Sequence, residues 1–188
     1  MNFISFIADD SNLPNQVYLR PLVSHDQENV CRWLISPYIL HYSFVVPGPS
    51  AITSDFCTDA YAQRYFDTIM NDVKRQNFAI MVGGYHVGNI GLKDIDKSKK
   101  YAECCIEIGE SRFRGLGIGY QAMKQVLDIA FLDLGLTTIE LEVLEFNYTA
   151  IRLYHNLGFV SQPSSSWHYD EFGIYWRVLK MSINCPQN

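Results

Sequence analysis

The stretch "YAECCIEIGESRFRGLGIGYQAM" constrains this chain more than any other. "YAECCIEIGE" reads as a strand, Gly115, Gly117 and Gly119 interrupt it, and a helical repeat follows. In that repeat Met123, Val126, Leu127, Ala130, Phe131 and Leu134 share one face until Gly135 ends the helix. "TTIELEVLEF" then sets Ile139, Leu141 and Val143 against Glu140 and Glu142, the pattern of a strand buried chiefly on one face. A strand, glycine loop and helix in that order create an anion site. The first N–H groups of the helix have no internal acceptors, and the helix dipole adds positive potential there. Glycines let a phosphate reach the backbone, and Arg112 and Arg114 stand by to add charge.

The flanking sequence supplies the rest of an α/β fold. "VYLRPLV" (17–23) alternates like a strand, and Ser24 and Gln27 are spaced as a capping box for a first helix. Residues 36–57, with three prolines and many rings, read as an irregular connection. Tyr61, Tyr65, Ile69, Met70 and Val73 recur at helical spacing from about Thr58. "FAIMVGGYHVGNIGLKDID" reads as two strands around a Gly83–Gly84 turn, and Lys97 to Lys100 as a polar turn. "NYTAIRLYHNLGF" is a helix capped by Asn147 and ended by Gly158. After "QPSSS", "FGIYWRVLKMSI" adds one more strand. With no internal repeat or linker, the 188 residues are expected to form a single domain, core about 17–184.

Composition narrows the function. A net charge of −5 gives no support to a nucleic-acid surface. No apolar run reaches membrane-spanning length, and "MNFISFIADD" has no basic n-region, so the chain is expected in the cytoplasm. Cys31, Cys57, Cys104, Cys105 and Cys185 contain no CxxC pair and read as free thiols, with 104 and 105 on opposite strand faces. The five histidines lack ligand spacing, so no metal is expected. A monomer and a homodimer are equally compatible with the sequence.

Two phosphate-binding patterns fit the loop. Gly117, Gly119 and Ala122 satisfy GxGxxA, with Glu140 or Glu142 roughly twenty residues on, as in a dinucleotide-binding oxidoreductase. Too little chain follows for repeated βαβ units, and no GK[ST] follows for a Walker loop. Arg114, Gly117 and Gly119 also fit R/Q-x-x-G-x-G/A, and Asn147, Ala150, Tyr154, Gly158 and Phe159 fit N-x-x-A-x-x-x-Y-x-x-x-G-F. Together, in this order, these motifs resemble the two signatures of the GNAT N-acetyltransferase superfamily over about 101–159. "VYLRPLV" and "IGESRFRGLGIG" look most like the branch of ribosomal-protein N-terminal acetyltransferases. That branch often has Trp-Gly-Lys-Gly where this chain has Arg114-Gly115-Leu116-Gly117.

The resemblance implies a single-domain α/β fold with a mixed, mostly antiparallel central sheet flanked by helices. It also implies acetyl-CoA as cosubstrate and direct transfer to a primary amine, of a small molecule such as an amino sugar or polyamine or of a protein N-terminus. The pyrophosphate would lie on the amides of Arg114, Gly115, Leu116, Gly117, Ile118, Gly119 and Tyr120. The pantetheine arm would pair with the strand ending near Ile108, and Asn147 would contact that arm. Tyr154, by its place in the second signature, would protonate the departing thiolate. An alkylamine of pKa about 10 is roughly one part in a thousand neutral at pH 7, so a base matters. Glu103 and Glu107 share strand parity, either side of Cys105, and one could draw the proton directly or through water. Apart from the resemblance, ring-rich "YILHYSF" (38–44) and "WHY" (167–169) read either as lining of the acceptor pocket or as apolar packing around irregular loops. The alternative of an acyl-CoA-binding protein without turnover keeps the loop and needs neither Tyr154 nor the glutamates.

Overall fold

The computed structural model describes residues 16–42, 59–169 and 175–186, and of these the backbone alone at 164, 165 and 167–169. Seven strands form one sheet: β1 Val17–Pro21, β2 Gln76–Val82, β3 Tyr85–Asp96, β4 Tyr101–Glu107, β5 Thr138–Leu144, β6 Val160–Tyr169 and β7 Tyr175–Asn184. Their spatial order is β1-β2-β3-β4-β5-β7-β6. Every neighbouring pair is antiparallel except β4 and β5, which run parallel. The expected mixed, mostly antiparallel sheet is the one observed.

Helices cover both faces because the central strands are apolar on both sides. In β2, Ile80 and Val82 join the larger core, while Ala79 and Met81 join a second cluster with Val30, Phe66 and Ile69. Val30 belongs to α1 (Gln27–Leu34), and Phe66 and Ile69 to α3 (Asp59–Asn71). On the other face α4 (Ile118–Asp128) buries Ile118, Ala122, Met123, Val126 and Leu127. A π-helical turn, Ile129–Asp133, adds Ala130 to the core before Gly135 turns the chain at φ 64°. Gln125 ties α4 to β1 by donating to the Val17 carbonyl at 2.9 Å. α5 (Tyr148–Asn156) contributes Tyr154 to the same core.

Four local readings need correction. Ser24 does not cap α1: the chain first makes a 3-10 turn over Ser24–Asp26. The Asp26 carboxylate orders that turn, accepting from the Val23 N–H at 2.9 Å and from both Arg20 terminal nitrogens at 2.6 and 2.7 Å. The expected irregular connection begins with a short helix, α2 (Pro37–Tyr42), because Ser36 Oγ accepts from the Ile39 N–H and Pro37 suits a first helical position. Residues 43–57, including Cys57, lie outside the described residues. Val73 is 96% exposed, since α3 stops at Asn71, and Ala62, Phe66 and Ile69 carry its buried face. The serine-rich "QPSSS" is no break but part of β6, paired with β7 across a register shift between Ser161 and Ser165.

Gly109 shows how tightly the strand exit is held. Trp33 is 1% exposed, and a Cβ at position 109 would lie 1.9 Å from its Cδ2. Gly109→Ala should therefore cost at least the ~1–3 kcal/mol of ordinary core overpacking, read as a fall in Tm. An unchanged Tm would mean that Trp33 is free to move aside.

Candidate active site

The site opens where β4 and β5 part. They pair only from Tyr101–Glu103 to Thr138–Glu140. β4 then follows β3 to Glu107 while β5 follows β7 to Leu144. Between Cys104–Glu107 and Leu141–Leu144 no backbone pairing is formed among the described residues. Two strand edges thus face a gap with free N–H and C=O groups, which an extended amide-bearing chain can satisfy. A cleft of about 420 Å³ occupies the gap, lined among others by Glu103, Cys105, Glu107, Gly117, Asn147 and Tyr154. A second hollow, about 430 Å³ at Lys74, Asp94, Lys97 and Tyr101, contains none of the predicted site residues.

The glycine loop stands at the mouth of the cleft. Gly115 and Gly117 have φ of 76° and 77°, a region costly for any residue with a Cβ. A Cβ at either would meet nothing within 4 Å, so both border open space. The buried Ile118 side chain pins the helix start, whereas Leu116 and Tyr120 are exposed. The first helical bond is Gln121 N–H to the Gly117 carbonyl, so the amides of Ile118, Gly119 and Tyr120 precede it without intrahelical acceptors.

Arg114 differs from expectation in two ways. Its amide already donates to Ser111 at 3.1 Å. Its guanidinium donates to the carbonyls of Ile108 (2.8 Å) and Gly109 (2.7 Å) under the ring of Tyr38, 3.6 Å from the ring centroid. Arg114 therefore latches the loop to the end of β4, with its guanidinium on the Ile108 carbonyl, where the strand expected to pair with the pantetheine arm ends. Arg112 lies over the rings of Tyr85 and Phe113. Gly119 also differs: a Cβ there would meet Leu153 at 3.4 Å and Ile106 at 3.8 Å, ordinary contact distances, so the position faces the packing of α4 on α5 and β4 and not the open cradle.

The two glutamates lie on one strand face, with different partners. Glu103 is ion-paired with Lys93 Nζ at 2.6 Å. Burial pushes its carboxyl above the ordinary range, and Lys93 opposes that. Glu107 accepts from Asn89 Nδ2 at 2.7 Å. Burial raises its pKa too, opposed by the neutral Asn89 amide and by the more distant charge of Arg114. Cys105 faces the cleft between them, while Cys104 is buried with its Sγ 3.6 Å from Met123 Sδ. Burial raises the Cys104 thiol, so it is no ready thiolate.

Tyr154 is 7% exposed and lines the cleft from α5, its ring 5.9 Å from that of Phe159. Burial raises its phenol above the ordinary value, with Cys104 and Cys105 adding to the shift. His155, next in sequence, is exposed. Asn147 Oδ1 caps α5 by accepting from the Ala150 N–H at 3.2 Å. Tyr38 and Tyr42 reach the cleft from α2, whereas residues 43 and 44 and the side chains of 167–169 lie outside the described residues.

Sequence reasoning missed Lys93, Asn89 and Trp33. The first two stand directly opposite Glu103 and Glu107 across the β3–β4 ladder, a signal that needs the register and not merely the strand period. Glu140 has no place in a ribose site: Tyr101 donates to it at 3.1 Å and Lys180 lies 3.1 Å away. With one parallel pair in the sheet, the dinucleotide reading of the loop does not hold.

The model of the acetyltransferase (GNAT) domain family matches residues 16–160. The chain belongs to that family. This GNAT chain is an N-acetyltransferase. No curated relative matches it. Among solved structures it is similar to spermidine N-acetyltransferase from Vibrio cholerae in complex with CoA and spermine. The TM-score is 0.75 at 23% identity, over 90% of this chain and 95% of that one. A single-residue variant of that Vibrio cholerae enzyme gives a TM-score of 0.71 at 23% identity, over 90% and 94%. At such identities the likeness concerns the fold. Among the described residues no helix is long and apolar enough to cross a membrane, and no group of three or more His, Cys, Asp or Glu side chains is placed to hold a metal.

Gly117 and Gly119 should now separate. Gly117→Ala puts a Cβ at φ 77° into the open cradle and should weaken CoA binding at least tenfold, whereas Gly119→Ala should stay within about threefold. Calorimetric titration with CoA measures both, and equal losses would contradict the assignment of Gly119 to packing.

Proposed function

We propose that acetyl-CoA enters the parted strands with its pyrophosphate on the amides of Gly115 to Tyr120 and its pantetheine arm along β4, near Asn147. The observation that carries this reading is the unpaired edge of β4 leading from the loop to Glu107 and Tyr154. The amine nitrogen attacks the thioester carbonyl, its N–C bond forms and the C–S bond breaks, without an acetyl-enzyme. Glu107 takes the proton from the amine, directly or through water. Glu103 is the poorer base, because Lys93 already neutralises it and its loss would leave that lysine unpaired. Tyr154 donates a hydrogen bond to the sulfur as charge develops there. Its raised pKa keeps the phenol protonated and ready to donate.

The acceptor is proposed to be a primary alkylamine of a small cation, polyamine or amino sugar, drawn by Glu103, Glu107 and Glu142 on the cleft wall. The spermidine enzyme of similar fold supports trying polyamines first. A peptide N-terminus is the second candidate, resting on the resemblance of "VYLRPLV" and "IGESRFRGLGIG" to the ribosomal-protein branch. We also propose that the 188 residues act as one domain in the cytoplasm, where Cys31, Cys104 and Cys105 remain thiols. Thiol release from acetyl-CoA across polyamines, amino sugars and peptide N-termini identifies the acceptor class.

Two substitutions test the roles with that acceptor. Because burial raises Glu107, activity should fall as pH drops through a value above the ordinary carboxylate range. Glu107→Gln should cost ~10²–10⁴-fold in kcat/KM near neutrality and recover at higher pH as the amine deprotonates by itself. Glu103→Gln should cost less than about tenfold and keep the acid limb. Tyr154→Phe should lower kcat with CoA affinity unchanged, because the contact strengthens only as sulfur gains charge. A fully active Tyr154→Phe enzyme would remove that hydroxyl from the mechanism.

A further inference from the structure

A line of polar side chains runs through the protein behind Glu107. Arg20 grips Asp26 through both terminal nitrogens. Asp26 Oδ1 lies 3.2 Å from His86 Nδ1, and both side chains are 5% exposed. His86 Nε2 lies 3.0 Å from Asn89 Oδ1, and Asn89 Nδ2 donates to Glu107 Oε1 at 2.7 Å. The line thus begins at β1 and ends on the carboxylate in the cleft.

The direction of each link follows from its neighbours. An amide has one accepting and one donating end. With Nδ2 spent on Glu107, Asn89 turns its Oδ1 to the imidazole, so Nε2 of His86 carries the hydrogen. Nδ1 is then bare. It is the buried side-chain polar atom without a hydrogen-bond partner among the described residues, although Asp26 stands close by. A buried group left so costs free energy and calls for an explanation. Packing alone supplies none. The imidazole meets Trp33 edge-on at 4.7 Å between centroids, a contact that phenylalanine would make as well.

We propose that His86 and Asn89 are positioning residues for Glu107. The buried imidazole holds the Asn89 amide in the one orientation that donates to the carboxylate, and this fixes the direction and the basicity of Glu107. The proposal rests on the reading of Glu107 as the base. Without the Asn89 donor, burial would raise Glu107 further, and less of it would be ionised near neutrality. The groups facing Glu107 are Asn89 from β3, Arg114 from the loop, Cys105 on β4 itself, and Tyr65 of α3, whose own phenol is raised by burial and then by Cys105 and Glu107. Those facing His86 are Asp26, Arg20, Asn89 and the Gly88 backbone, with Trp33 against its ring. Burial holds the imidazole below its ordinary value, so it serves as a neutral donor through Nε2.

The test compares the acid limb of kcat/KM in the full chain for His86→Phe, Asn89→Leu and Glu107→Gln. Both positioning variants should move the limb up by about one pH unit, a roughly tenfold loss below it, with the high-pH plateau largely kept. A merely structural role would lower Tm or scale the rate at every pH without moving the limb. If Glu107→Gln leaves the limb in place, the base reading has failed. If Glu107→Gln abolishes it while the other two leave it unmoved, only this inference is overturned. Should His86→Phe fail to fold, Asn89→Leu carries the comparison. Nitrogen-15 spectra of the wild-type imidazole give an activity-free readout: Nε2 should carry the hydrogen at neutral pH, and its shift should respond to Glu107→Gln. A hydrogen on Nδ1 alone would contradict the proposal.

Discussion

The parallel pairing of β4 with β5 lasts for three residue pairs and then stops, and the rest of the site depends on that interruption. Each strand past the fork stays fixed by its other neighbour, β3 for β4 and β7 for β5. The gap is therefore rigid on both sides, with backbone groups that have lost their strand partner. Unpaired peptide groups are expensive to bury but inexpensive to leave facing a cleft, where water or a ligand's amides reach them. The fork also sets where α4 begins. Its first amides open on the same gap, held there by the buried Ile118 and by the Arg114 latch on the Ile108 and Gly109 carbonyls.

That latch shows how charge is used here. A loop arginine invites assignment to phosphate, yet Arg114 is consumed by backbone carbonyls and the Tyr38 ring. Positive potential for an anion then comes from helix amides, which need no side-chain ordering when the ligand arrives. The same economy separates the two glutamates. Residues of one strand face differ because β3 offers a lysine to one and an amide to the other. On the proposed mechanism, that neutral partner leaves Glu107 basic enough to accept a proton.

Local periodicity made the elements legible. The alternation of Ile139, Leu141 and Val143, the apolar face from Met123 to Ala130 and the Asn147 cap all stand where the sequence suggests. So does the fold class, and the loop, Asn147, Tyr154 and both glutamates line one cleft. What escaped depends on register and on distant contacts. Lys93 and Asn89 acquire meaning only opposite β4, and Asp26 replaced Ser24 at the first turn because Arg20, six residues earlier, reaches it. The serines of β6 hid a strand, since its pairing with β7 comes from backbone groups that any residue carries.

On the proposed function, the fork between β4 and β5, with the loop at its mouth, holds the cosubstrate. Residue-resolved amide NMR during a CoA titration tests it directly. The largest shifts are expected at Gly115 to Tyr120 and along Cys104 to Glu107, with NAD giving none there. Shifts concentrated instead around Lys74, Asp94 and Tyr101, with the loop and the β4 edge unmoved, would contradict it.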